Sequence, residues 1–104
     1  MALPPNRKEI VEFTKKLKKR LEAKYGVSLR SRVVVQVSPN PWIGFWLKDW
    51  TPDSAVVLPN ELRSLAAHVM GAEPSDWDDV SYGNIRTNSI DMLYSEWQKL
   101  AEQL

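Results

Sequence analysis

Apolar residues recur along the chain with two different periods. Ile10, Phe13, Leu17, Leu21 and Tyr25 step by three or four positions, which is one face of a helix. Asn6 is placed to cap that helix, with Glu9 three residues on as its capping partner. Gly26 supplies a left-handed stop. Residues 29–37 then change character. Val33-Val34-Val35-Gln36-Val37 is β-branched, and Leu29–Val37 is predicted as a strand. Ser38-Pro39-Asn40-Pro41 cannot extend it, because each proline removes a ladder donor. That segment is predicted as a turn, and Trp42–Trp50 as a second strand paired with the first in a hairpin.

Thr51-Pro52-Asp53-Ser54 reads as another turn, and Ala55–Leu58 as a short third strand. Pro59 suits the first turn of a helix. Leu62, Leu65, Ala66, Val69 and Met70 supply that helix's apolar stripe, and Gly71 ends it. Ser75-Asp76-Trp77-Asp78 has the form of a cap followed by an acidic first turn, which predicts a helical turn over 75–80. A loop through Gly83 and Asn84 follows. Thr87, Asn88 or Ser89 is expected to cap a last helix carrying Ile90, Leu93, Tyr94, Trp97, Leu100, Ala101 and Leu104 on one face. Met1–Asn6, with Pro4 and Pro5, is an extended lead. The predicted order is α-β-β-(β)-α-α. It describes one α+β domain over residues 1–104: two layers, with a small antiparallel meander of two or three strands packed by three helices.

The α-β-β-β-α part of this order resembles the double-stranded RNA-binding domain. That family opens its last helix with a basic cluster. The matching stretch here is Pro59-Asn60-Glu61-Leu62-Arg63, with one base and one acid. The likeness is one of topology, and RNA binding is not carried over from it.

Composition narrows the chemistry. The chain has 104 residues, no Cys and one histidine, His68. Disulfides, thiolate metal sites, a cysteine nucleophile and a paired-His acid/base system are thereby excluded. Ser64 lies four residues before His68 on the same helix face, but no nucleophile elbow or second His accompanies them. Glu73, Asp76, Asp78 and Asp79 form an acidic cluster. It fails the EF-hand pattern because Val80 and Ser81 stand where an Asp/Asn and the Gly are needed. The cluster is expected to be the acidic start of a helix. No catalytic residue, metal or cofactor is assigned, and the chain is expected not to be an enzyme. No apolar run is long enough for a membrane span or a signal peptide, and a cytoplasmic location is expected.

Charge is distributed unevenly. Residues 1–32 hold ten of the 14 Lys and Arg with three acids; residues 33–104 hold four bases and ten acids. On the first helix, Lys15, Lys16, Lys18, Lys19, Arg20 and Lys24 make a basic stripe of the kind that binds phosphate backbones. The tryptophans offer a different surface. Trp42, Trp46 and Trp50 are four apart, so on one strand all three point to the same side, with Gly44 and Lys48 between them. Ile43, Phe45 and Leu47 point to the other side. A two-layer sheet has one covered face, so one of these two rows is exposed. An exposed Trp row marks an interface. The favoured function is an interaction module that binds a protein partner or itself through Trp42, Trp46, Trp50 and Lys48. The alternative is nucleic-acid binding through the basic helix.

Overall fold

The computed structural model describes residues 6–35, 41–54, 56–71 and 85–104. Its elements are α1 (Arg7–Tyr25), β1 (Leu29–Val34), β2 (Trp42–Leu47), α2 (Asn60–Val69), β3 (Ser89–Leu93) and α3 (Tyr94–Glu102). Three helices and a three-stranded antiparallel sheet in the order β1-β2-β3 make a small α+β fold.

α1 follows its pattern closely. The Asn6 side chain accepts from Glu9 N–H at 2.8 Å, and Gly26 closes the helix with φ 66°. Ile10, Thr14, Leu17 and Leu21 are buried, while Phe13 and Tyr25 pack at the edge of the core. The Thr14 hydroxyl is buried without penalty because it donates to Ile10 O at 2.7 Å. Glu22 Oε2 then accepts from Leu29 N–H at 2.9 Å and ties the helix end to the start of β1.

β1 and β2 form the expected hairpin, with Arg32 opposite Gly44 and Arg30 opposite Trp46. Both strands are shorter than predicted. β1 ends at Val34, with Val35 beyond it and 36–37 outside the described residues. β2 ends at Leu47, because Asp49 takes up φ 60° and the chain turns.

The third strand is not where the sequence pointed. Val56 and Val57 are 62% and 45% exposed and belong to no strand. Only Leu58 of that stretch is buried, with its N–H on Thr87 O at 2.7 Å. β3 is Ser89–Leu93, which pairs with the second edge of β2. The predicted last helix therefore begins at Tyr94 rather than near Ile90. The order is α-β-β-α-β-α, so the likeness to the double-stranded RNA-binding order is lost. The turn predicted at 38–41 lies outside the described residues except for Pro41, whose carbonyl accepts from Tyr94 N–H at 2.8 Å. The helical turn at 75–80, the loop through Gly83 and Asn84, and the acidic cluster Glu73, Asp76, Asp78 and Asp79 also lie outside them.

The buried apolar residues make one cluster. It joins Leu29, Ile43, Phe45, Leu47, Ile90 and Met92 of the sheet to side chains of all three helices. Trp97 of α3 anchors it. Its ring meets Phe45 edge-on at 4.8 Å, and its indole N–H donates to Ile43 O at 2.8 Å. No helix among the described residues is long and apolar enough to cross a membrane.

Candidate interaction surface

Strand alternation sorts the sheet residues into two faces. Ile43, Phe45 and Leu47 of β2 point into the core, so Trp42, Gly44 and Trp46 point away from it. Register then places their neighbours. Trp42 lies between Val34 and Leu93, Gly44 between Arg32 and Asp91, and Trp46 between Arg30 and Ser89. Lys48 N–H still reaches Ser28 O at 2.9 Å, so the pairing of the two strands runs one residue past the end of β2. Trp42 and Trp46 are half-buried; Arg30, Arg32 and Lys48 are exposed. Neither indole packs against the core.

Gly44 lies at the centre of this face. The Asp91 carboxylate folds over it, and a Cβ there would collide with Asp91 Oδ1. The carboxylate thus lies in the gap between the two indoles. Burial raises its pKa, opposed by the positive charges of Arg86 and Arg32.

Trp50 departs from the row. The turn at Lys48 and Asp49 breaks the alternation, and Trp50 packs against the core edge instead. Its indole N–H is buried with no hydrogen-bond partner, and so is the Tyr25 hydroxyl. Burial and the nearby Glu61 raise the pKa of that hydroxyl. Trp50 also lines a cavity of about 250 Å³ between the end of α1 and the end of β2, walled partly by Lys48, Ser54 and Val56.

The basic candidates lie elsewhere. α1 buries Ile10, Thr14, Leu17 and Leu21, so Lys15, Lys16, Lys19, Arg20 and Lys24 are exposed and Lys18 is half-buried. Arg20 reaches Ala101 O at 3.3 Å, and Lys24 Nζ lies 5.9 Å from the centre of the Tyr25 ring. These cations lie on α1, whose buried stripe packs on the inner side of the sheet, whereas Trp42 and Trp46 lie on its outer side. His68 and Ser64 are both exposed on α2. Among the described residues no three His, Asp or Glu side chains gather as a metal site.

Sequence reasoning missed Arg30, Arg32 and Asp91 as part of this surface. Alternation within β1 carried the signal for the two arginines: both fall on the parity opposite to buried Leu29. Asp91 carried none, because its place depends on β3 pairing with a strand more than forty residues away. The chain matches no family model, no curated protein and no solved structure.

Proposed function

We propose that this protein is a non-enzymatic interaction module that receives a protein partner, or a second copy of itself, on the outer face of its sheet. The carrying observation is the pair Trp42 and Trp46, held away from the core on the sheet face against which no helix among the described residues packs. Tryptophan and arginine dominate the energetics of protein interfaces, because each buries a large area while keeping a polar handle. Here Arg30 stands directly across from Trp46, and Arg32 lies in the row between the indoles. A cytoplasmic location accompanies this proposal, on the cysteine-free sequence.

Sedimentation equilibrium over a concentration series separates the two occupants. Self-association that disappears in Trp42→Ala/Trp46→Ala, with far-UV circular dichroism unchanged, identifies a second copy. A monomer at every concentration leaves a different protein as the occupant. Self-association that persists unchanged in the folded double variant would remove this face as the self-association interface.

The exposed cations of α1 favour a second proposal, nucleic-acid binding through that helix. Affinity for a random oligonucleotide should then fall by roughly 0.7–0.9 log units per log unit of salt for each phosphate neutralised. Replacing Lys15, Lys16, Lys18 and Lys19 with Glu should abolish it.

A further inference from the structure

The outward residues form three rows across the strands. Val34, Trp42 and Leu93 make an apolar row; Arg32, Gly44 and Asp91 make a charged one; Arg30, Trp46 and Ser89 make a mixed one. Arg86 acts on Asp91 from the turn before β3. Beside the two indoles stand the two arginines Arg30 and Arg32 and the Asp91 carboxylate.

This composition selects among occupants. A second copy docked face to face sets two arginines and one carboxylate against the same set, so both faces keep an excess of positive charge, and like charges at an interface disfavour docking. The surface calls for negative charge opposite it. It also calls for apolar groups over Val34, Trp42 and Leu93, and for a hydrogen-bond donor to Asp91. In a nucleic acid the negative charge lies on the phosphates, while the donors and stacking surfaces lie on the bases. A polypeptide presents carboxylates, apolar side chains and backbone N–H groups together.

We infer that the occupant of the outer sheet face is an acidic, apolar-containing segment of a partner protein. Its carboxylates meet Arg30 and Arg32, and its apolar side chains cover Trp42 and Trp46. This inference rests on the proposal that the face is a binding surface, and it names the chemistry of the partner.

Fluorescence anisotropy tests it with three labelled probes: a short peptide of Glu and Leu, its counterpart of Lys and Leu, and an oligothymidylate. The Glu/Leu peptide should bind the full-length protein, more weakly as salt rises, and the Lys/Leu peptide should not. Arg30→Glu/Arg32→Glu should weaken the Glu/Leu peptide at least about tenfold. Both positions are exposed, so the fold should persist by circular dichroism. Trp46→Ala should weaken it as well, which simple attraction between opposite charges would not require. Lys15→Glu/Lys16→Glu/Lys19→Glu on α1 should leave it nearly unchanged.

Three results overturn the inference. The Glu/Leu peptide fails to bind at low salt; it binds with equal affinity to the Arg30→Glu/Arg32→Glu protein; or the α1 variant loses it as completely. If the oligothymidylate binds instead and the β1 arginines and Trp46 carry that binding, the face remains a binding surface and the partner is a nucleic acid. If Trp42 and Trp46 affect neither probe binding nor self-association, the proposal for the face falls with the inference.

Discussion

Trp97 and Trp46 meet opposite sides of the same strand. Trp97 comes in from α3, is fully buried, stacks its edge on Phe45 and donates to Ile43 O. Trp46 grows from β2 itself, is half-buried, and stands beside Arg30 on the outer side. The inner face pairs aliphatic residues with aromatic ones and satisfies the Trp97 indole. The outer face mixes indoles with charge. Bulk apolar area is thus placed twice, once fully buried in the core and once half-buried on the outer face. That second placement is the reason to assign the outer face to binding.

The largest effect separates these two residues. Trp97→Ala should cost about 3–5 kcal/mol, the range for removing a large buried aromatic. Trp46→Ala should cost no more than about 1 kcal/mol. Urea denaturation of both variants checks this; equal losses would mean that Trp46 supports the core.

Gly44→Ala probes the joint between the faces. Its Cβ meets the end of the exposed Asp91 side chain, which can turn aside, so the substitution should cost no more than about 1 kcal/mol. Adding Asp91→Ala should recover most of that loss, and a double-mutant cycle of urea midpoints reads the coupling. Additive losses would place the clash elsewhere.

A smaller effect comes from pH. Burial raises the Asp91 pKa, so the folded state favours the protonated carboxyl more than the unfolded chain does. This contribution is present in full below the unfolded value of about 4 and is lost as pH rises through the folded value. Asp91→Asn should flatten that part of the stability profile by under about 1 kcal/mol, Arg32 and Arg86 offsetting part of the burial. Stability measured at intervals upward from about pH 4 tests the sign. The smallest effect belongs to Arg30→Glu/Arg32→Glu. Both sites are exposed, and each substitution should change stability by no more than about 0.5 kcal/mol while affecting partner binding strongly.

What could be read from the sequence divides along local and non-local lines. α1 was legible from end to end, because its stripe, its Asn6 cap and its Gly26 stop all lie within the segment. The β1–β2 hairpin was legible for a similar reason. β3 was not. Ile90, Leu93, Tyr94 and Trp97 fit a helical spacing, although Ile90 and Met92 are the buried pair of a strand. Leu93 is the junction, its N–H on Glu96 Oε1 at 3.0 Å where α3 starts. Choosing strand over helix there requires knowing that the free edge of β2 needs a partner. Val56 and Val57 mislead in the opposite way: they suit a strand, but no strand among the described residues pairs with them. At the surface, parity put Trp42 and Trp46 on one side of the strand but left open which side is covered. Trp50 was misassigned to their row because one left-handed residue, Asp49, ends the alternation.

The most direct measurement is a ¹H–¹⁵N correlation titration of the protein with the Glu/Leu peptide. The chain has five tryptophans, and each indole N–H gives its own signal. The indole signals of Trp42 and Trp46 should move, together with the backbone amides of Arg30 and Arg32, while Trp97 stays fixed. Shifts confined to the lysines of α1, with Trp42 and Trp46 unmoved, would contradict the assignment of the outer sheet face as the binding surface.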